Sequence, residues 1–520
     1  MQSTSSSGIG KVIFSSSLGT LIEWYDFYIF GMLAKTISVE FFPEGNETAA
    51  LLSTLAIFAA GFLVRPFGAL VFGRLGDLIG RKSTFLLTLV LMGGSTFLIG
   101  LVPGYRSIGI AAPLLVLLLR LVQGLALGGE YGGAATYVAE HSPANRRGYY
   151  TSWIQTTATL GLFVALGVIM LVKSNMTDAA FTSEWGGWRY PFWISILLVG
   201  VSIYIRLKMK ESPLYSKLKK EGKTSVNPLK ESFGHKGNFK MVLLALFGAV
   251  MGQGVIWYTG QFYAQSFLEN TVKIEFMQNR EILLWGIGLA TPFFLVFGAL
   301  SDVVGRKWIM LSGMLLGVIF YRPIFNAFLK DTNIKEWLQK EQVVSKEINK
   351  KMVVKIDTTV NTTNRMEITH TDIKWVLSNG ARFVESSTDT VDTDTNGLKG
   401  VVKGNNKPVY TDKVLPTAMK WKFIFLVFAM ILFVTMAYAP IAAFLVELFP
   451  TKIRYTSMSL PYHIGNGVFG GLVPFIATLL STSFANDPLV GLWYPIAIAA
   501  LCFVIGAVYL TNNLDKNIND

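Results

Sequence analysis

The 520-residue sequence is poor in cysteine, histidine and charge. Cys502 is its one cysteine, so the chain can form no internal disulfide and no metal cluster held by several thiolates. Charged residues make up 15% of the chain, whereas soluble domains contain about 25%. The sequence also lacks a P-loop, a dinucleotide fingerprint, a His/Cys metal spacing and a nucleophile elbow. These absences argue against a soluble enzyme, and we predict a protein that is not an enzyme and binds no cofactor.

Apolar residues are abundant: they make up 52% of the chain, and the mean hydropathy is +0.46. Crossing a bilayer as a helix takes about 20 residues. Segments of about this length cover residues 13–42, 50–73, 84–103, 109–139, 149–172, 189–207, 241–268, 280–300, 308–329, 420–447, 455–480 and 487–511. They predict an all-α protein with twelve transmembrane helices in the lipid bilayer. We expect the first helix to be retained, because Met1–Lys11 lacks the basic region of a signal peptide.

The net charge of +13 comes from basic residues that are distributed unequally between the predicted loops on the two sides of the membrane. Basic residues concentrate in alternate loops, above all in 206–240, whereas the other short loops and their edges hold only Lys35, Arg106, Lys173, Arg189, Lys273 and Arg280. Loops rich in Lys and Arg stay in the cytoplasm. Both termini are therefore predicted to be cytoplasmic. The basic charge reflects topology, and we predict no binding of nucleic acid.

Two motifs occur twice. Gly73–Lys82 and Gly298–Lys307 share a pattern of Gly, Asp, Gly, Arg and Lys, and Glu140–Arg147 resembles Glu447–Arg454. Repeats of this kind build transporters from two similar halves. We predict an N-terminal six-helix bundle, a basic central loop, and a second bundle interrupted by an insertion; their bounds are 1–208, 209–240, 241–330 with 418–520, and 331–417.

The two repeats predict an insertion in the second half. The two copies of the Glu…Arg motif are further apart in sequence than the two copies of the Asp motif, so extra residues must lie between the second Asp motif and Glu447. Residues 331–417 are polar and correspond to the short outer loop at 103–108, which predicts an extracytoplasmic position. Lys335–Lys351 has helical spacing and is expected to prolong the ninth helix. Met352–Ile356 and Ala381–Val384 are typical of strands. The insertion is either a small accessory domain or a surface that docks a partner or captures substrate.

The duplicated loops are candidates for conformational gating. Their glycines allow close helix packing. Their aspartates can accept hydrogen bonds from a helix N-terminus, or pair with an arginine, at the interface between the halves. Such contacts would stabilise one conformation; ordinary loop charges are the alternative. The gating candidates are Asp77, Arg81, Glu140, Arg147, Asp302, Arg306, Glu447 and Arg454.

The duplicated motifs and the twelve-helix pattern resemble the major facilitator superfamily. Within it, Glu23–Tyr28 (EWYDFY), Gly61–Gly68 (GFLVRPFG) and Gly128–Gly133 (GGEYGG) are similar to the metabolite:proton symporter branch. That branch contains permeases for shikimate, 2-oxoglutarate and citrate, and carriers of proline and betaine. The resemblance extends over the chain except for residues 331–417. It implies two six-helix bundles working by alternating access in a bacterial inner membrane.

Charged residues inside a membrane are costly and mark functional sites. Asp26 and Glu23 are three residues apart and share one face of the first helix. The resemblance to proton-coupled sugar porters implies that Asp26 forms a proton-sensitive pair with Arg120 of the fourth helix. Glu130 is a candidate second proton site. For each of these residues, a purely structural role in helix packing is the alternative.

Arg65 is expected near the bilayer midplane, where an arginine can bind a carboxylate through two hydrogen bonds. Its alternative role is to pair with Glu23 or Glu130. Gln253, Trp257 and Gln261 recur every four residues and share a helix face. The full set of candidate substrate-binding residues is Arg65, Gln155, Gln253, Trp257, Tyr258, Gln261, Tyr462, His463 and Asn466.

These residues predict a secondary transporter that imports a small carboxylate together with protons. Coupled uptake of a zwitterionic osmolyte such as proline or betaine is the main alternative, since aromatic residues can hold a quaternary ammonium group. A passive facilitator and a sensor derived from a transporter, with 331–417 as its receptor domain, remain open. The sensor alternative is weakened by the presence of Asp26, Glu23, Arg65 and Arg120.

Overall fold

The computed structural model describes residues 6–79, 81–129, 135–136, 138–139, 142–208, 230, 233–359, 362–393, 408–449, 454–484 and 486–512. Glu130 and Glu140 lie outside these ranges, as does most of the predicted central loop. Asp77 and Arg81 lie in described helices, but their side chains are outside the description.

The described residues form twelve long helices, which follow one another in sequence. In the first half, α1 consists of Ser6–Met32 and Ala34–Phe41, α2 of Glu47–Leu63 and Arg65–Ile79, α3 of Arg81–Ile99, α4 of Ala111–Gly128, α5 of Arg147–Ser174 and α6 of Tyr190–Lys208. In the second half, α7 is Lys236–Asn270, α8 is Phe276–Ala290 and Phe293–Val304, α9 is Arg306–Asp331, α10 is Thr417–Tyr438 and Ile441–Leu448, α11 is Arg454–Ser483 with a break after Gly470, and α12 is Trp493–Tyr509. Short helices occupy Tyr105–Ile108, Asp178–Thr182 and Ile334–Lys340.

Nine of these helices are long and apolar enough to cross a membrane when the described residues are searched: α2, α4, α5 and α7 to α12. A shorter apolar stretch, Leu86–Ile99, lies in α3. Helices α1 and α6 occupy the two remaining predicted positions. The prediction of an all-α polytopic membrane protein is confirmed.

Contacts divide the chain into two compact units. The first consists of Met1–Ala264, Leu284–Pro323 and Leu426–Asp520, and the second of Gln265–Leu283 and Ile324–Phe425. In the first unit α1 packs against α3, α5 and α6, α2 packs against α4 and α11, and α7 packs against α11 and α12. Wide π-helical turns interrupt α7 at Leu246–Val250 and Thr259–Tyr263, and α11 at Ile464–Gly470. Such turns are frequent at functional sites, and here they flank candidate substrate residues.

The second unit contains a four-stranded antiparallel sheet in sequential order: β1 is Val343–Thr359, β2 is Thr362–Leu377, β3 is Arg382–Thr393 and β4 is Val409–Val414. Trp375 pairs with Lys346 on one side and with Phe383 on the other. Phe383 stacks on Trp375 and contacts Trp337 of the short helix, which closes a small apolar core. Both strand predictions are confirmed, since β1 contains residues 352–356 and β3 contains 382–384.

The predicted helical extension over Lys335–Lys351 is wrong. Helix α9 ends at Asp331, and the side chain of Asn333 caps a separate helix that ends at Lys340. Strand β1 begins at Val343, where valines favour extended backbone and the cross-strand partners of β2 are available. Alternation of charged and apolar residues is compatible with either structure, and pairing with β2 selects the strand.

Strand β4 is attached to the segment between α7 and α8. Glu275 donates its backbone N–H to the carbonyl of Lys413 (2.9 Å), and Lys413 donates to the carbonyl of Lys273 (2.9 Å). The Gln278 side chain accepts from the backbone N–H of Leu415 (2.6 Å) and donates to its carbonyl (3.0 Å). The insertion is therefore joined by hydrogen bonds to the ends of the neighbouring helices.

The side chain of Lys413 predicts a stability that rises with pH. Its Nζ is largely buried and donates to the Thr332 carbonyl (3.2 Å). Burial, with a smaller effect of Lys273, lowers the pKa of Lys413 from 10.5 to about 8. Between these values the unfolded chain binds more protons than the folded one, so folding becomes more favourable as pH rises from about 8 to 10.5.

We expect Lys413→Met to reduce this rise in the thermal unfolding midpoint, measured in detergent between pH 7 and pH 10. Lys335→Met, at an exposed lysine of the same unit, is the control and should keep the parental profile. An unchanged profile in Lys413→Met would show that the charge of Lys413 does not destabilise the fold.

Candidate substrate and proton site

An aromatic cluster joins the two halves of the first unit. It consists of Trp24, Tyr28, Trp257, Tyr258, Phe262 and Tyr438. Trp24 and Tyr28 of α1 lie with their ring centroids 6.4 Å and 5.9 Å from that of Trp257 on α7. The ring centroid of Tyr438 of α10 lies 5.6 Å from that of Trp257, with the two ring planes tilted by 30°. Predicted site residues surround this cluster.

Arg65, at the start of the second segment of α2, lies beside the cluster with 1% of its surface exposed. Its guanidinium carbon is 4.1 Å from the ring centroid of Phe62, 4.4 Å from that of Phe27 and 5.3 Å from that of Trp24. It also hydrogen-bonds the hydroxyl of Tyr258 on α7. Among the described residues, its Nε and Nη2 atoms have no hydrogen-bond partner and no carboxylate lies within 4 Å of it. Within this part of the chain, Arg65 is thus a buried cation with one edge free.

Arg120 of α4 is fully buried, and the predicted pair with Asp26 is not formed. Its Nη1 donates to Gln123 Oε1 (2.7 Å) and to the Phe27 carbonyl (3.4 Å). Its guanidinium carbon lies 4.1 Å from the Phe27 ring centroid and 4.7 Å from that of Phe30. Asp26 and Phe27 are adjacent on α1 and point in directions about 100° apart. Because Arg120 packs on the Phe27 side, it lies away from Asp26.

Asp26 instead lies among α1, α3 and α6. The side chain is 1% exposed, hydrogen-bonds Ser195 and lies close to Gly93. Among the described residues, its Oδ1 has no hydrogen-bond partner and no cation lies within 4 Å of the carboxyl group. A carboxyl group kept from water and from cations is more stable with its proton than without it. Glu23 is also buried, with 2% of its surface exposed.

The second half contributes buried amides, hydroxyls and an imidazole. Asn466 Nδ2 of α11 donates to Gln253 Oε1 of α7 (3.0 Å), and the hydroxyls of Tyr462 and Tyr438 are 2.7 Å apart. Several buried atoms have no partner among the described residues: Gln253 Nε2, both polar atoms of the Gln261 side chain, and both ring nitrogens of His463. Gln155 is fully buried in α5. Unpaired buried donors and acceptors of this kind are costly unless a ligand or water binds them.

The site also contains residues that were not predicted from the sequence. Phe27, Phe62 and Tyr438 contact the candidate residues directly, and Gln123 orients Arg120. Tyr28 falls inside the EWYDFY motif four residues after Trp24, which is the helical spacing that places both rings on one face. No comparable spacing identifies Tyr438, because it reaches the site through packing between helices.

A separate ion-pair network joins α5 and α8. Glu447 Oε1 lies 3.1 Å from Arg147 Nη1 and 3.1 Å from Arg306 Nη2, and Arg306 also pairs with Asp302 (2.6 Å). Asp302 accepts the backbone N–H groups of Gly148 (2.8 Å) and Tyr149 (2.9 Å) at the start of α5. Asp302 therefore caps a helix of the first half from the second half. Arg454, at the start of α11, is also buried, and its Nε donates a hydrogen bond to the carbonyl oxygen of Phe449 (3.1 Å).

Helices α5 and α8 come into backbone contact at this network. A Cβ atom on Gly148 would lie 2.6 Å from the carbonyl oxygen of Gly298 and 2.5 Å from Arg306 Nη1. A Cβ on Gly298 would lie 2.5 Å from the Ser152 hydroxyl. A side chain at either glycine would force the helices apart, so the two halves are in their closed arrangement at this end.

Comparison with known proteins agrees with this architecture. The sequence matches the model of the family "Sugar (and other) transporter" over residues 12–344. It is 31% identical over 510 residues to the inner membrane metabolite transport protein YhjE of Escherichia coli, covering 96% of this chain and 94% of that protein.

Two further relatives from Escherichia coli have named substrates. The chain is 37% identical over 315 residues to alpha-ketoglutarate permease, covering 61% of this chain and 71% of that protein. It is 34% identical over 328 residues to the proline/betaine transporter, with 61% and 64% covered.

Among solved structures, the xylose transporter XylE of Escherichia coli in a partially occluded inward-open conformation matches with a TM-score of 0.64 at 15% identity. The match covers 98% of this chain and 100% of that one. It shows a shared fold. The resemblance noted in the motifs is thereby confirmed, and the chain belongs to the sugar (and other) transporter family of the major facilitator superfamily.

Proposed function

We propose that this membrane transporter imports a small carboxylate together with protons, by alternating access of its two halves. The free edge of the buried Arg65 guanidinium supports this proposal most strongly. A guanidinium keeps its proton in proteins, and a buried charge requires a partner of opposite sign. Since no carboxylate of the described residues lies within 4 Å of Arg65, an anionic substrate is the partner that we propose for it.

Uptake of a zwitterionic osmolyte is the second candidate. The aromatic cluster favours it, because rings attract quaternary ammonium groups. The rings of Trp24, Phe27 and Phe62, however, already face the Arg65 guanidinium. A second cation placed among them would be repelled at short range in a medium of low polarity. A ligand whose charge is negative fits this site better.

Asp26 is the proposed proton-binding group. It is buried beside Ser195, and the described residues offer neither a cation within 4 Å nor a hydrogen-bond partner for its Oδ1. These surroundings favour the protonated acid in this closed arrangement. Loss of the proton would then require Asp26 to reach water, which links protonation to a change of conformation. Protons serve as the coupling ion, and no other cofactor is proposed.

The network of Asp302, Arg306, Arg147 and Glu447 is proposed to stabilise the arrangement in which α5 and α8 are closed. From the distribution of Lys and Arg, we place this network on the cytoplasmic face of a bacterial inner membrane and both termini in the cytoplasm. Opening on that side then has to break charge-assisted hydrogen bonds between the halves.

The Asp26→Asn variant tests proton coupling in proteoliposomes. We expect the parent to accumulate carboxylate when an inward proton gradient is applied. In Asp26→Asn, accumulation should fall to the equilibrium ratio while downhill exchange persists, because an amide cannot carry the proton. Asp178→Asn, at an exposed acid, should keep gradient-driven uptake. Full accumulation by Asp26→Asn would exclude Asp26 as the coupling group.

The Arg65→Gln variant tests the anion site. Hydrogen bonds to a charged group contribute about 1.5–3 kcal/mol, so the concentration of carboxylate for half-maximal exchange should rise about 10- to 100-fold. Arg106→Gln, at an exposed arginine, should leave this concentration unchanged. Equal affinity of Arg65→Gln and the parent for every transported carboxylate would contradict the assignment.

The Glu447→Gln variant tests the ion-pair network. Cys502 is buried, so a cysteine introduced by Ser152→Cys at the α5–α8 contact reports opening there. We expect faster modification by a permeant maleimide after Glu447→Gln, because the pairs with Arg147 and Arg306 are weakened. Glu281→Gln, which removes the pair with Lys420, is the control and should not change the rate. Equal rates in both backgrounds would show that the network does not stabilise closure.

A further inference from the structure

The turn between α8 and α9 carries the ion-pair network that is proposed to stabilise closure, and the end of α12 packs against this turn from another side. We infer that Lys307 and the segment Leu510–Asn512 are positioning elements of this closure, because they set the direction in which Arg306 points towards Glu447. The inference rests on the proposed role of the network, and it adds a segment that lies outside the repeated motifs.

The turn depends on one glycine. Gly305 alone separates the end of α8 at Val304 from the start of α9 at Arg306. Its φ of +102° is a conformation that residues with a Cβ atom rarely adopt. Asp302 and Arg306 lie on either side of the turn, so their relative position depends on it. Hydrogen bonds weaken steeply with distance and angle, and a small rotation of the turn would therefore separate both residues from their partners.

The side chain of Asn512 lies on this turn. Its Nδ2 donates to the carbonyl oxygen of Val304 (3.1 Å), the last residue of α8. The last four carbonyl groups of a helix have no partner within that helix, so Asn512 caps α8 from a distant part of the chain. A Cβ atom on Gly305 would lie 2.5 Å from both Cγ and Nδ2 of Asn512. Glycine is thus required here for close contact as well as for its φ.

Lys307 makes the reciprocal contact with α12. Its Nζ donates to the carbonyl oxygens of Ala507 (2.7 Å) and Leu510 (2.8 Å) at the C-terminal end of that helix, and the residue is 8% exposed. A cation is favourable at this end of a helix, where the carbonyl dipoles point outwards. The residue that follows the turn therefore caps α12, while Asn512, which follows α12, caps α8.

These contacts limit the direction of Arg306. Arg306 and Lys307 are adjacent on α9, so their side chains leave the helix about 100° apart. Arg306 extends to Glu447 (3.1 Å) and Asp302 (2.6 Å), whereas Lys307 extends to α12. Because Lys307 holds one side of the first turn of α9, this turn cannot rotate freely. The anchor at Lys307 thereby keeps Arg306 within reach of Glu447.

The same segment also contacts α7. Leu510 is 5% exposed, and a Cβ atom on Gly248 would lie 3.3 Å from Leu510 Cγ. Gly248 belongs to the π-helical turn Leu246–Val250 of α7, the helix that also carries the candidate substrate residue Gln253. The segment after α12 therefore joins α7 to the turn of the network. It forms a physical connection between these helices that does not pass through the contact of α5 with α8.

Labelling of Ser152→Cys in the full-length protein tests the inference, with a permeant maleimide and without substrate. We expect the rate to rise about three- to tenfold in Lys307→Gln and in Asn512→Ala, as the loss of one hydrogen bond of ordinary net strength implies. Lys307→Arg keeps the charge and donors, and should be labelled more slowly than Lys307→Gln. Thr511→Ala, at the exposed neighbour of Asn512, is the control and should keep the parental rate.

A double-mutant cycle with Glu447→Gln separates positioning from a general loss of stability. If Lys307 and Asn512 act by directing Arg306, their variants should raise the rate by less than about twofold in the Glu447→Gln background. General loosening would raise the rate by the same factor in both backgrounds. Thermal unfolding midpoints show which variants fold, and Asn512→Ala, at an exposed residue, keeps the test decisive if Lys307→Gln does not fold.

Two results would overturn the inference while the network keeps its proposed role. One is an equal factor in the parental and Glu447→Gln backgrounds. The other is an unchanged rate in both Lys307→Gln and Asn512→Ala although Glu447→Gln alone is labelled faster. An unchanged rate in Glu447→Gln itself would contradict the proposed role of the network, and the inference would fail with it.

Discussion

The burial of Arg65 is the constraint on which the site depends. A buried carboxyl group can avoid its charge by taking up a proton, but a guanidinium cannot release one under physiological conditions. The rings of Phe27, Phe62 and Trp24 reduce the cost of this charge through cation–π contacts of about 0.5–2 kcal/mol each. They do not replace a hydrogen-bonding anion. The proposed anionic substrate would therefore complete the electrostatics of the site as well as fill it.

Two of these rings, Trp24 and Phe62, also connect the two halves of the transporter, together with the ring of Tyr28. Trp24, Tyr28 and Phe62 belong to the first half, and their partners Trp257, Tyr258 and Phe262 belong to the second. Arg65 itself reaches the Tyr258 hydroxyl. An anion bound at Arg65, as proposed, would change the charge at the contact between the halves. Recognition of the proposed substrate and contact between the halves would then share a set of side chains.

Much of the fold was predictable because the membrane imposes it. Runs of apolar residues near the length of a bilayer identify the helices, and the repeated Asp motif divides the chain into halves. Strands at Met352–Ile356 and Ala381–Val384 follow from local residue preferences. The helical extension over Lys335–Lys351 failed because its alternating pattern suits helix and strand alike, so that only pairing with β2 distinguishes them.

The site was harder to predict than the fold. Helical spacing placed Gln253, Trp257 and Gln261 on one face of α7, but no spacing within a helix shows which other helix that face meets. Asp26 and Arg120 are a clear example. Their residue types suggest an ion pair, yet the rotation of α1 directs Phe27 towards Arg120 and Asp26 towards α3 and α6. Such facts depend on packing over the whole bundle.

This rotation also suggests how the proposed proton and substrate sites communicate. Helix α1 carries Asp26 on one face and Trp24, Phe27 and Tyr28 on others, so the two sites lie on different sides of the same rigid element. No direct contact between proton and substrate is then needed. A movement of α1 that follows the substrate through Phe27 and Tyr28 also moves Asp26 relative to Gly93 and Ser195. Because a packed helix transmits displacement as a unit, α1 is the shortest physical connection between them.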